Sequence, residues 1–221
     1  MDRYTPLRAR TITLVGLMGV GKSSVGRRLA NALELPFKDA DVEIEAAAGR
    51  SIKEIFASLG EPAFREGERR VITRLLEDPP HVLATGGGAF ITPETRALIK
   101  ERSISVWLKA DLEVLVRRVG RKDNRPLITG KDPLEVLTEL AAVRYPIYAE
   151  ADVVVETGDT AHHVTVDQVI PALTAHLQGT EVHILGLGID PADQPLRRVA
   201  GRLKTNRLIR LKRILARLRE Q

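Results

Sequence analysis

The 221 residues are 43% hydrophobic and 29% charged, with 34 lysines and arginines against 29 aspartates and glutamates for a net charge of +5. This composition fits one ordinary domain with a real core and excludes wholesale disorder, a collagen-like chain and a membrane bundle, and the absence of cysteine removes disulfides, thiolate metal sites and thiol nucleophiles together. The positive balance is local, because residues 196–221 hold ten basic residues and one acidic residue, Glu220, a net +9 that leaves −4 for residues 1–195.

Short apolar runs alternate with longer segments of helical period, the pattern of a parallel sheet covered by helices on both faces. Strands are predicted at Thr11 to Val15, Pro36 to Asp39, His81 to Thr85, Ile104 to Lys109 and Asp152 to Glu156. Between and after them the spacing predicts helices at Lys22 to Leu33, Asp41 to Gly49, Ser51 to Leu59, Glu61 to Glu77, Pro93 to Glu101, Asp111 to Val119, Pro133 to Ala149 and His162 to Leu177. The helices between the second and third strands are expected to hold a substrate over residues 39–77, and the polar, glycine-bracketed stretch 120–131 reads as a mobile lid. Trp107, between Val106 and Leu108, is expected in the core.

Residues 16–23, GLMGVGKS, match the phosphate-binding pattern G-x-x-x-x-G-K-[ST] directly after a strand and before a helix. Glycines allow backbone N–H groups to turn toward phosphate oxygens, and the helix adds its positive end. Gly19, Val20, Gly21, Lys22, Ser23 and Ser24 are therefore expected to bind a nucleotide, with Lys22 on the β and γ phosphates and Ser23 on Mg²⁺. No N-K-x-D motif for guanine is present. At the end of the second strand, FKDADVEIE sets Asp39 and Asp41 at the carboxyl edge of the sheet, where ligands of such sheets bind. One carboxylate suits a metal's water shell and the other an acceptor hydroxyl, although either also serves as a helix N-cap. The histidines lack metal-ligand spacing, so no zinc is expected.

In this order, GLMGVGKSSVGRRLA, DADVEIE, GRSIKEIF, GEPAFREGE, TGGGA, RPL and RYPIY resemble the shikimate kinases, a P-loop family of the nucleoside-monophosphate-kinase-like group, over residues 10–177. The resemblance implies transfer of the γ-phosphoryl of ATP to the 3-hydroxyl of shikimate, on the route to chorismate and the aromatic amino acids. It further implies Asp41 as base on that hydroxyl, Asp39 near the Mg²⁺ waters, and Arg65, Arg144 and the Gly87 backbone N–H on shikimate. Arg125 would close with the lid onto the phosphates, and Arg118 would lie against adenine. After the last strand the chain reads VVETGDTAHH, with Glu156 where the family usually shows an aspartate.

Residues 178–195 read as a linker, and leucines recur at near-helical spacing among the arginines and lysines of residues 196–221. Such a basic amphipathic tail fits an anionic surface or the acidic body of its own chain, and no nucleic acid or membrane partner is required for the chemistry. Without an apolar run of eighteen residues or a leader-like start, a cytoplasmic protein is expected. Two rivals stand beside this reading. One is another small-molecule kinase on the same scaffold, such as a gluconate kinase, and the other is a non-catalytic P-loop protein recruited by its tail.

Overall fold

The computed structural model describes residues 5–119, 132–158 and 162–184. The expected lid with Arg125 and the basic segment 196–221 fall outside the described residues. By compactness the chain divides into Met1–Gln178 and Gly179–Gln221, the second described only over residues 179–184.

Five parallel strands, β1 (Thr11–Val15), β2 (Phe37–Asp39), β3 (Val82–Ala84), β4 (Ser103–Ala110) and β5 (Val153–Thr157), form one sheet in the order β2-β3-β1-β4-β5. All five residues of β1 are buried, whereas β5 at the edge alternates buried and exposed. Position in the sheet explains the difference, since a central parallel strand is covered on both faces and reads as a continuous apolar or hydroxyl run. The hydroxyls on β1 and β4 are not stranded in that core. Thr13 Oγ1 donates to Ser103 Oγ at 2.7 Å, and Ser105 Oγ donates to Asp152 at 2.7 Å.

Helices α1 (Thr5–Arg8), α2 (Lys22–Leu33), α3 (Ala40–Ala48), α4 (Ile52–Glu77), α5 (Pro93–Arg102), α6 (Leu112–Val119), α7 (Pro133–Tyr148) and α8 (His162–Ile184) complete the described structure. The crossover through α2 runs across the sheet in the opposite direction to the later ones, so right-handed connection sets α2 on one face and the later crossovers on the other. No described helix is long and apolar enough to cross a membrane.

Two differences from the expected elements have local causes. The first is α1, a single turn too short to show a period, anchored by buried Leu7 and by Arg8 Nε donating to the Leu33 carbonyl at 2.8 Å. The second is α8, which continues past Leu177 to Ile184, so the expected linker starts as helix. A lone Gly179 costs about 1 kcal/mol in a helix without ending it, and the next proline is Pro191. The expected break near Gly60 is present. One continuous helical span covers Ile52 to Glu77, but Gly60 within it has φ 78° and ψ 174°, conformations that turn the chain before Glu61.

Candidate active site

Because β1 and β3 are neighbours, the loops leaving their carboxyl ends meet. The loop after β1 is the phosphate motif, and its glycines are in conformations that side chains resist: Gly16 at φ 139°, Gly19 at 83° and Gly21 at 94°. A Cβ on Gly16 would lie 2.5 Å from the Leu108 carbonyl oxygen, and one on Gly19 would lie 2.8 Å from Val119. Gly21 caps α2 without any side-chain hydrogen bond, which leaves the first N–H groups of α2 open to an anion. Lys22 Nζ donates to the carbonyls of Gly16 at 2.8 Å and Leu17 at 3.1 Å, so the ammonium is folded into the loop. Ser23 is exposed and Ser24 half-buried in the first turn, while the Val20 side chain belongs to the core and only its backbone faces the loop. Arg118 reaches back from α6, donating to Gly158 O at 3.0 Å and Val20 O at 3.5 Å, and so bridges the phosphate loop and the end of β5.

The loop after β3, Gly86 to Gly88, borders the phosphate loop directly. A Cβ on Gly87 would lie 3.5 Å from Met18 N, 3.6 Å from Gly16 O and 3.6 Å from an Arg144 nitrogen. Around this loop the structure gathers Asp41, Arg65 and Arg144, all expected from sequence, together with Glu68 and Tyr148, which were not. Asp41 Oδ1 and Glu68 Oε1 each stand 2.9 Å from the position a Gly86 Cβ would take. Arg65 lies over Gly88, with both terminal nitrogens within 2.5 Å of the corresponding position there. Arg144 donates to the Gly87 carbonyl at 3.1 Å, and the Tyr148 hydroxyl donates to the same oxygen. The Gly87 carbonyl is thus engaged within the protein, a separate group from the N–H expected to meet shikimate.

Asp39 caps α3, its carboxylate accepting the Asp41 N–H at 3.1 Å. The N-cap role thus falls to Asp39, and the Asp41 carboxylate faces the Gly86 loop. Asp41 is solvent-exposed at the surface of the cleft, yet the protein packed around it raises its carboxyl above the usual range, with Asp39 raising it further against the opposing pull of Lys22. Glu68 is the more extreme case. It is 1% exposed, Oε2 accepts from Arg65 Nη1 at 2.7 Å, and Oε1 is buried without a hydrogen-bond partner among the described residues. Burial pushes its carboxyl up, against the Arg65 charge that pulls it down. Arg65 is held from its other side by exposed Glu61, with Nη2 at 2.9 Å and Nε at 3.2 Å from one oxygen. Glu61, Arg65 and Glu68 stand one turn apart on α4, and the i,i+3 spacing in FREGE is the signal that names Glu68 as the partner of Arg65.

The described residues of the site thus comprise a helix N-terminus with no side-chain cap, a lysine, and a cluster of charged side chains of both signs around three glycines. The protein-family model described as "Shikimate kinase" matches residues 18–174. The chain belongs to the shikimate kinase family. A shikimate kinase of Caulobacter vibrioides is 74% identical over 172 residues, covering 78% of this chain and 86% of that one. Another, from Paramagnetospirillum magneticum, is 58% identical over 181 residues, covering 80% and 93%. Among solved structures, the shikimate kinase of Acinetobacter baumannii in complex with shikimate superposes with a TM-score of 0.74 at 36% identity, covering 78% of this chain and 97% of that one. Family membership favours a catalytic kinase over a non-catalytic P-loop protein.

Proposed function

We propose that this chain transfers the γ-phosphoryl of ATP to the 3-hydroxyl of shikimate, forming shikimate 3-phosphate and ADP. The observation that carries the reading is the closeness of the two loops, since a Cβ on Gly87 would lie 3.6 Å from the Gly16 carbonyl oxygen, and the Gly87 loop carries beside it the arginines and carboxylates suited to a hydroxylated carboxylic acid. Arg144 and Arg65 bind the shikimate carboxylate, the first across the Gly87 loop and the second over Gly88, because guanidinium forks fix a carboxylate in position as well as in charge. Asp41 orients the acceptor hydroxyl and takes its proton, and a carboxyl raised above its usual range suits that task. The transition state is loose, so cationic groups outweigh proton removal, and Lys22 leaves its loop carbonyls for the phosphates.

Gly19, Val20, Gly21, Ser23 and Ser24 cradle the phosphates through backbone and hydroxyl groups, Arg118 lies against adenine, and Arg125 acts from the lid. A magnesium ion fits the hard oxygen donors at this edge, the exposed Ser23 hydroxyl directly and Asp39 through water. When bound, it neutralises charge on the β and γ phosphates. Residues 196–221 take no part in the chemistry, and their charge suits an anionic surface. Incubating the full chain with Mg²⁺, ATP and shikimate, with gluconate as the competing acceptor, tests the assignment. Mass spectrometry is expected to show a phosphorylated shikimate and no phosphogluconate, and folded protein giving neither product would overturn it.

A further inference from the structure

Helix α7 is attached to the sheet by two tyrosine hydroxyls whose partners lie on different elements. Tyr145 donates to Ala110 O at the end of β4, at 3.1 Å. Tyr148 donates to Gly87 O in the loop after β3. Trp107 holds both rings, at centroid distances of 5.1 Å from Tyr145 and 5.9 Å from Tyr148. Just before Tyr145 and one turn before Tyr148, α7 presents Arg144, whose Nη1 donates to the same Gly87 oxygen.

Tyr148 is wholly buried, and a phenylalanine would fill its volume. What the phenol adds is a donor directed at the Gly87 carbonyl and a direct hydrogen-bond contact with the Arg144 side chain. A carbonyl oxygen has two lone pairs, and Tyr148 and Arg144 together occupy both. The consequence is geometric. A peptide plane held by two donors at its oxygen cannot rotate without breaking both, so the loop on which the acceptor rests and the arginine that binds its carboxylate are fixed to each other. Burial pushes the Tyr148 hydroxyl up to about 12, so it remains a donor at every working pH.

We propose that Tyr148 is a positioning residue of the acceptor site, its hydroxyl locking the Gly87 carbonyl so that the glycine loop and Arg144 present one rigid surface to the substrate carboxylate. The inference rests on the reading of shikimate as acceptor. Without the hydroxyl, Arg144 holds the carbonyl alone and both gain freedom that binding must remove, a loss of preorganisation. The nucleotide loop, fixed by its own glycines, is unaffected.

The test is calorimetric titration of the full chain with shikimate, paired with steady-state kinetics, for wild type, Tyr148→Phe, Arg144→Ala and the double variant. Tyr148→Phe is expected to weaken shikimate binding and raise its KM about tenfold, with the KM for ATP and kcat within about twofold of wild type. In the Arg144→Ala background the same change is expected to cost less than about threefold, because its effect passes through Arg144 and the shared carbonyl. A purely structural tyrosine would instead lower Tm and leave the split between the two KM values untouched. Tyr148→Met, judged by the same criteria, replaces the phenylalanine variant if that one does not fold. Unchanged shikimate affinity in a folded hydroxyl-free variant, or an equal loss with and without Arg144, overturns the proposal. A wild-type chain that binds no shikimate overturns the acceptor reading and this inference with it.

Discussion

The two loops that meet at the carboxyl edge of the sheet are made of different material. Residues 16–23 build a binding surface from backbone, with three glycines at positive φ and a helix whose N-terminus carries no side-chain cap. The facing side is built from charged side chains, Asp41, Arg65, Glu68 and Arg144, drawn from three helices and packed around Gly86 to Gly88. A phosphate chain offers many equivalent oxygens and is held by repeated N–H groups. A hydroxylated carboxylic acid offers few groups in a fixed arrangement and needs individual partners, each of which must itself be held. Backbone sites are consequently robust to their neighbours, whereas side-chain sites depend on the residues behind them, such as Glu68 behind Arg65 and Tyr148 behind Arg144.

The largest effect expected from this contrast comes from Lys22, the charged side chain of the phosphate loop. Lys22→Ala is expected to lower kcat about 10³-fold or more, since it removes a charge needed mainly as the phosphoryl group transfers. Shikimate affinity, measured by titration without nucleotide, is expected to stay within about twofold of wild type. A large loss of shikimate binding in this variant would erase the division between the two sides.

A smaller and more local effect is expected at Gly88, whose missing Cβ is replaced by the Arg65 guanidinium. In Gly88→Ala the new methyl would lie 2.4 to 2.6 Å from that group, so the flexible arginine must move and the core need not. The expected result is about a tenfold rise in the KM for shikimate, equivalent to ~1.4 kcal/mol, with Tm and the KM for ATP close to wild type. Loss of ATP affinity instead would show that the glycine loop serves the phosphate side.

The same difference in material governs what the sequence made legible. The phosphate site is contiguous, and every glycine it needs is there for a backbone reason, so GLMGVGKS could be read without a fold. Strand order was implied only as a parallel sheet, and the β1–β3 adjacency that brings the loops together comes from pairing that no local pattern encodes. Asp41, Arg65 and Arg144 were found through the order of motifs, since a single arginine on a helix has no intrinsic signature. Glu68 was present in FREGE as an i,i+3 partner of Arg65, but its 1% exposure, which turns an ordinary surface pair into a buried one, depends on the tertiary fold. Tyr148 was legible within RYPIY as an aromatic residue and not as a donor to Gly87, because its partner is 61 residues away in the chain.

The smallest effect is a pH dependence carried by the acceptor side. Glu68 has a folded pKa raised above its ordinary 4.5, so between that value and the raised one the folded chain binds more protons than the unfolded chain. The stability associated with Glu68 is therefore complete below 4.5 and is lost as pH rises through the raised value. His81, buried near the opposite edge of the sheet, works in the other direction. Burial holds its imidazole below 6.5, so stability is lost as pH falls from there through the lowered value. The two slopes oppose each other in the wild type, and Glu68→Gln isolates one of them. Subtracting the two Tm profiles is expected to show wild type losing ground to Glu68→Gln as pH rises from 4.5, by about 2–4 °C for each kcal/mol in a chain of this size. A difference profile that is flat, or of opposite slope, would mean that the Arg65 pair outweighs the burial of Glu68, and this carboxylate would then give the acceptor side no stability that is lost with rising pH.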